Sequence, residues 1–537
     1  MPIAKNVLIT DLNGKKHINL RPASPEFRAL LSIDGGGVRG IIPAIVLDGF
    51  IKAAKEVLRE TYPECADLTD DDMIVEVKDC FDTVAGNSAG SILALYFASA
   101  GGRPDLYEAG GRLEGHCPGS TEAIIELFDQ LVNVIFKLPA LHWGRIPVVR
   151  KISGVFASMY GYRGLEQGLH EVFGDLTLKQ LKMNAYIPAY ELNNSRPVAF
   201  YCRERTNGDM ETGYSSPKNP THKLIPRSVK VPFTTSRGLS RQYGGVKTMQ
   251  PNENVPPIPE AKRAAPPPPE TQKGPEAKRP APPPPTETQK EPEIKNPDPK
   301  DEEDETFTPR PTKCIPRSFT MAGGVFPDHF DNSNLILPVK TVAQASASAP
   351  VYFSSTNVDQ EKAGINLAEG SMISWVDGGV VSNNPTMQAL AFMASSFYNR
   401  RTGEMFPMSK MAVLSVGTGT AKSYSNVTRG KDGLVWWLSS LLTILMDSHA
   451  EVNHAIVDAL FDGAVFGQTD AAYDRYVRIN KIAFPGDKEH KVLGALDAVS
   501  EVPKLKHIGE HLVDENWDIM KNFVKNILLA EKTPPSE

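Results

Sequence analysis

The sequence predicts an α/β fold: a mainly parallel central sheet flanked by helices, interrupted by a long disordered insertion and closed by a helical C-terminal part. Three observations predict it. Short apolar runs end in glycine turns and pass at once into helical spacing, first at ALLSI-Asp34-Gly35-Gly36-Gly37, then at Asp82-Thr-Val-Ala-Gly86-Asn-Ser88-Ala-Gly90. Strand-like runs return downstream at KMNAYIPAYEL, PVAFYC and MAVLSVGTGT, the alternation that parallel α/β sheets are built from. Between the second and third of these runs lies a polar, proline-rich block that can form no core of its own.

Taken in order, residues 1–28 are a polar N-terminal extension with one strand-like run, NVLIT. Residues 29–203 form the first part of the core. After the first glycine turn, Ile42, Ile45, Val46, Phe50, Ala53, Ala54, Val57 and Leu58 recur at helical spacing, which puts one face down on a sheet. Pro43 falls in the first turn of that helix, where a missing N–H costs nothing. The acidic loop LTDDD leads to the second glycine turn, and TEAIIELFDQLVNVIF is helical again.

The pattern breaks after Cys202, and residues 204–314 read as a proline-rich disordered insertion. EAKRAAPPPPETQK (260–273) returns as EAKRPAPPPPTETQK (276–290), a repeat with polyproline II character. Arg263-x-x-Pro266-x-x-Pro269 and Arg279-x-x-Pro282-x-x-Pro285 each fit the ligand pattern of an SH3-type partner. A solvated spacer is the simpler reading. The core resumes over 315–425, with the small-residue helix of LILPVKTVAQASASAPVYF, an Asp377-Gly378-Gly379 turn, and a helix capped by Asn384 with Pro385 as its first residue. Residues 426–537 read as helices; Leu434, Trp437, Leu438, Leu441 and Leu445 share a face that covers the sheet or, through Trp436 and Trp437, meets a lipid surface.

At 537 residues and 41% apolar composition the chain can build a large core. A formal charge of −6 with no basic, aromatic-laced patch argues against a dedicated nucleic-acid binder. Cys65, Cys80, Cys117, Cys202 and Cys314 are odd in number and scattered, which suits inert thiols in a reducing compartment. No apolar run reaches signal-peptide or membrane-spanning length, so the chain is expected to be cytoplasmic and at most peripheral on membranes.

The turn around Ser88 has the layout of a nucleophile elbow: strand, Gly-x-Ser-x-Gly, helix. So tight a turn leaves no room for a Cβ at Gly86 or Gly90. Ser88 then stands at a helix N-terminus, where unpaired N–H groups favour developing negative charge. The Asp34 glycine loop and the Asp377 glycine turn complete what an acyl hydrolase requires: a nucleophile, a base and oxyanion donors. No metal or cofactor is expected, since no carboxylate cluster or calcium-loop spacing stands out.

Asp-Gly-Gly-Gly-x-Arg-Gly, Gly-x-Ser-x-Gly and Asp-Gly-Gly, in that order, closely resemble the patatin-like phospholipases. YRGLEQGLHEVFGDLTLKQL, AYIPAYELNNSRPVAFYC, VAQASASAPVYF and MAVLSVGTGTAK support the resemblance, which covers most of 29–203 and 335–460. It implies a Ser88–Asp377 dyad without histidine, hydrolysis of fatty-acyl esters of phospholipids, galactolipids or acylglycerols at a membrane or micelle surface, and a structural role for Asp82. Gly35, Gly36 and Gly37 would offer amides to the oxyanion because only glycine lets backbone approach so closely; Ala89 would add the amide after the nucleophile. Arg39 would add positive potential or brace that loop, bracing being the simpler role, with Gly40 completing the motif. Many relatives carry other small residues at 87 and 89, and the proline-rich insertion departs from the family pattern.

Three other readings compete. Gly35-x-Gly37-x-x-Gly40 fits a dinucleotide fingerprint, but the Asp34 carboxylate would repel a pyrophosphate and no Gly-Lys-Ser/Thr follows. An α/β-hydrolase triad would recruit His449, His454 or His490, leaving the Asp34 loop unexplained. A non-catalytic, proline-rich interaction protein has no need of an intact Ser88, Asp377 and glycine loop.

Overall fold

Uncharged apolar runs become the inner strands, because a strand covered on both faces has no side that tolerates a charge. The computed structural model describes residues 7–12, 14–22, 24–137, 158–204, 210–215, 337–359, 372–397, 405–422, 434–462 and 475–532, with 434–443 described by backbone alone. In chain order, β1 (Leu8–Leu12) and β2 (Lys15–Asn19) make a hairpin, and β3 (Arg28–Ile33) enters the central sheet ahead of α1 (Ile41–Thr61). Strand β4 (Met73–Ile74) pairs with β2. Then come β5 (Thr83–Gly86), α2 (Ala89–Ala98), α3 (Thr121–Ile135) and α4 (Tyr162–Phe173). They are followed by β6 (Asn184–Glu191), β7 (Arg196–Glu204) and β8 (Met210–Ser215). The second part holds α5 (Val339–Ala347), β9 (Thr356–Asp359), β10 (Met372–Asp377), α6 (Thr386–Ser396), β11 (Met411–Val416) and β12 (Thr420–Ala421). Last are α7 (Leu434–Phe461), β13 (Tyr476–Ile479), β14 (Ile482–Ala483) and α8 (Val502–Phe523).

The central sheet runs β13-β11-β3-β5-β6-β10-β9, with β7 against β6 and β8 against β7. Strands β13, β11, β3, β5 and β6 are parallel; β7, β8, β9 and β10 run antiparallel to their neighbours. The sheet is therefore mixed, and its parallel half carries both glycine turns. PVAFYC, expected as another parallel strand, is the return arm of a hairpin: residues 192–195 alone link β6 to β7, far too few for a crossover.

Helix α1 departs from the expected one-face packing. It is buried along most of its circumference, because α8 covers the side turned away from the sheet. Gly49 and Gly509 permit that approach: a Cβ on Gly49 would stand 2.5 Å from the Val513 side chain, and one on Gly509 3.0 Å from Ile45. Full burial of a side chain such as Leu47 or Phe50 stabilises by roughly 1.5–3 kcal/mol, and Leu47→Ala would cost about 2–5 kcal/mol.

Two expected boundaries shift. Strand β8 lies within the stretch assigned to the insertion, paired to β7 from Ala199 to Glu204; the 260–290 repeat and Cys314 lie outside the described residues, as do the side chains of the Trp436–Trp437 face. The C-terminal part is not helical alone, for it returns β13 to the edge of the central sheet beside β11. Asp82 has the structural role expected of it. It accepts the Ala29 amide at 2.7 Å and pairs with Arg28 at 2.7 Å and Arg21 at 3.1 Å, tying the starts of β3 and β5 together. Helix α6 starts one residue later than expected, at Thr386 with Pro385 as the flanking residue, while the Asn384 side chain accepts the Thr386 amide at 3.0 Å. Among the described residues no helix is long and apolar enough to cross a membrane.

Candidate active site

Strand β5 delivers the chain to Ser88, and α2 starts at the next residue. Ser88 adopts φ 51°, ψ −122°, a conformation that costs a residue with a side chain on the order of 1–3 kcal/mol and persists only where surroundings enforce it. The glycines enforce it here. A Cβ on Gly86 would stand 2.0 Å from the Gly90 carbonyl oxygen, and one on Gly90 2.5 Å from that of Ile33. All ten residues of α2 are buried, so the helix behind the serine is fixed on every side.

Asp377 ends β10 and is 1% exposed, against 6% for Ser88. Its Oδ1 accepts the Gly379 amide at 2.6 Å and the Asn87 side-chain amide at 3.1 Å. Its Oδ2 is buried with no hydrogen-bond partner. The Ser88 hydroxyl is near enough to favour the ionised carboxyl, yet no bond of ordinary geometry closes between them. Burial pushes the Asp377 carboxyl up to about 6, against the pull of the Gly379 amide, the Ser88 hydroxyl and Asn87.

The Asp34 loop divides its labour. The Gly35 amide donates to the Asn383 carbonyl at 3.1 Å, and the Gly35 carbonyl accepts from Thr418 at 2.7 Å. Gly35, expected among the oxyanion donors, is thus committed to holding the loop. Gly37 (φ +58°) and Ala89 line the same pocket as Ser88 and Asp377. Arg39 is the brace anticipated: it donates to the carbonyls of Gly36 (3.3 Å), Gly419 (2.9 Å) and Leu493 (2.7 Å), fixing the peptide that carries the Gly37 amide. A Cβ on Gly40 would stand 2.8 Å from Ala89, and one on Gly378 2.5 Å from both Asn87 and the Pro188 carbonyl. Asp34 points away from the pocket into a bidentate pair with Arg478 at 2.9 and 2.5 Å, and Arg478 also donates to Ser415 at 2.8 Å. Burial raises the Asp34 carboxyl and the Arg478 charge works against it.

The pocket encloses about 580 Å³ of empty space, its mouth included. Phe128, Leu131, Val132 and Ile135 of α3 form one wall, with Phe353 and Met446 among the rest. Among the described residues no histidine lines it. His454 instead bonds the Tyr476 hydroxyl at 2.8 Å and His490 the Lys422 carbonyl at 2.8 Å, while Nδ1 of His449 is buried without a partner. Residues that sequence reasoning missed are Ser346, Asn383, Thr418, Arg478 and the side chain of Asn87. Only Asn87 lies inside a recognisable motif; the others converge from remote strands and turns with no spacing signal.

Among the described residues His17, Glu76 and Asp79 bring donor atoms close enough to hold a cation. Those donors are already engaged: Lys78 pairs with Glu76, His17 bonds Asp79 at 2.8 Å, and Glu76 and Asp79 form the capping box of the short helix Val77–Cys80.

The family model for patatin-like phospholipase matches residues 31–390, more than half of the chain. Patatin-like protein 3 of Arabidopsis thaliana is 27% identical over 198 residues, covering 34% of this chain and 43% of the relative. Patatin-like protein 2 of Oryza sativa subsp. indica is 30% identical over 184 residues, covering 33% and 38%. The matched stretch thus spans less than half the length of these curated relatives. Among solved structures, VipD from Legionella pneumophila is similar at 10% identity with a TM-score of 0.23, over 95% of this chain and 71% of that one.

Proposed function

The chain belongs to the patatin-like phospholipase family, and from that premise we propose that it is a lipid acyl hydrolase working through a Ser88–Asp377 dyad. One observation carries the reading. The unpartnered oxygen of the buried Asp377 carboxylate stands beside the elbow serine, in an apolar pocket that no histidine among the described residues lines.

The reaction is ester hydrolysis in two displacements. Asp377 Oδ2 takes the Ser88 proton as Oγ bonds to the acyl carbon, and the carbonyl oxygen becomes an oxyanion beside the amides of Gly37 and Ala89, with Gly36 behind them. The C–O bond to the alcohol breaks, and the alcohol leaves with the proton held on Asp377. Water then gives its proton to Asp377 and attacks the acyl-enzyme, releasing fatty acid and restoring Ser88. With the Asp377 carboxyl at about 6, it is ionised at neutral pH yet basic enough to receive a proton. The apolar wall of α3 suits an acyl chain, and the family implies a substrate that is the fatty-acyl ester of a phospholipid, galactolipid or acylglycerol.

The test is fatty-acid release from mixed micelles of those three lipid classes, without added metal. Ser88→Ala and Asp377→Asn should abolish release, while exchange of His449, His454 and His490 should leave it. Full activity in Ser88→Ala would overturn the proposal.

A further inference from the structure

Asn87 sits between nucleophile and base, fully buried, and its amide reaches away from the serine. Nδ2 donates to Asp377 Oδ1 at 3.1 Å and to Asn383 Oδ1 at 3.3 Å. Its oxygen accepts from the Ser346 hydroxyl at 3.4 Å, and the Ser346 oxygen in turn accepts the Ser88 amide at 3.2 Å. The orientation follows from the neighbours: two acceptors face the nitrogen, and a flipped amide would set its oxygen against a carboxylate. The turn after Asp377 is shaped around this side chain, since a Cβ on Gly378 would stand 2.5 Å from Asn87 Oδ1.

Resting on the Ser88–Asp377 reading, we propose that Asn87 is a positioning residue for the base, holding Asp377 Oδ1 so that Oδ2 is the oxygen offered to Ser88 and stabilising the ionised carboxylate. Two donors on Oδ1, Gly379 from the turn and Asn87 from the elbow, fix the carboxyl plane; one alone would leave it free to swing about its Cβ–Cγ bond. A hydrogen bond to the charged form also lowers the proton affinity of the group that receives it. Among the described residues the groups bearing on Asp377 are the Gly379 amide, the Ser88 hydroxyl and the Asn87 amide, all uncharged, so none of them is an ionic substitute for the charge-assisted bond from Asn87. Residue type matters: a hydroxyl side chain at 87 falls short of Asp377, and an aspartate would bring a second carboxylate.

The experiment is the pH dependence of Ser88 labelling by a fluorophosphonate, which needs no knowledge of the natural lipid. The full chain is compared with Asn87→Ala and Asn87→Asp between pH 4.5 and 9. In the wild type the labelling rate should fall on the acid side with its midpoint near the Asp377 value. Asn87→Ala should move that midpoint up by about one unit. Asn87→Asp, which keeps the shape of the side chain and so tests the idea even where the alanine variant fails to fold, should move it at least as far. A midpoint unmoved in the folded variants, whatever the fall in plateau rate, would show that Asn87 only fills space and overturn the proposal. The parent reading fails separately: Asp377→Asn labelled at the wild-type rate with the wild-type profile would remove the dyad itself.

Discussion

Replacing Asp377 by asparagine should make the protein more stable and almost inactive, and both effects follow from the same burial. The carboxyl is held at about 6 rather than the ordinary 3.8, chiefly by desolvation. Ionising it in the folded chain therefore costs about 3 kcal/mol more than in the unfolded one. Because the folded value is the raised one, the stability contribution is complete below pH 3.8, declines as pH rises toward 6, and is lost above that. Asparagine keeps an oxygen to accept from Gly379 and Asn87 and carries no charge, so it escapes the decline. The assay is thermal unfolding of both proteins from pH 4 to 8. The difference in Tm, variant minus wild type, should be near zero at pH 4, grow between 4 and 6, and level off above 7 at a value corresponding to at most about 3 kcal/mol. Over the same range fatty-acid release by the variant should be down by about 10³-fold or more. A Tm difference that is flat with pH would refute the claim that Asp377 titrates in a dry site, and with it the reason it can act as a base at neutral pH.

Gly37→Ala should destabilise the loop by more than about 1 kcal/mol and lower turnover by about 10²–10³-fold, because its Cβ would meet the Leu496 carbonyl oxygen at 2.1 Å and displace the amide; steady-state kinetics beside a melting curve separate the two effects. Arg478→Met should destabilise by about 3–5 kcal/mol by stranding the buried Asp34 carboxylate, with much of the loss recovered in the double variant with Asp34→Asn, measured by denaturant unfolding. Val132→Phe adds bulk to the wall of the pocket and should shift preference toward shorter acyl chains in a chain-length series, with the Ser88 labelling rate little changed.

Much of the architecture is legible because it is local. The strand, turn and helix around Ser88 and the turn at Asn384 that opens α6 each depend on a handful of consecutive residues whose conformational limits are written in their types. The sheet is harder. Nothing in PVAFYC distinguishes an antiparallel return from a parallel strand except the shortness of the turn before it, and nothing in YVRI announces that a strand from the C-terminal part closes the sheet beside β11. Helix α1 shows the same limit, since its apolar spacing marks one face while α8, arriving more than 400 residues later, buries the other.

For the site, the sequence by itself determined the strand-turn-helix at Ser88, the glycine loop after Asp34 and the glycine turn after Asp377, because each needs residues whose backbone freedom or side-chain chemistry no substitute supplies. Tertiary structure alone decided how those pieces act on one another. It committed the Gly35 amide to Asn383 and left Gly37 and Ala89 lining the pocket; it paired Asp34 with Arg478, turned Asn87 toward Asp377, and engaged His454 and His490 elsewhere. Hydrogen bonds and burial are set by distance in space, and residues hundreds of positions apart carry no mark of that distance until the chain has folded.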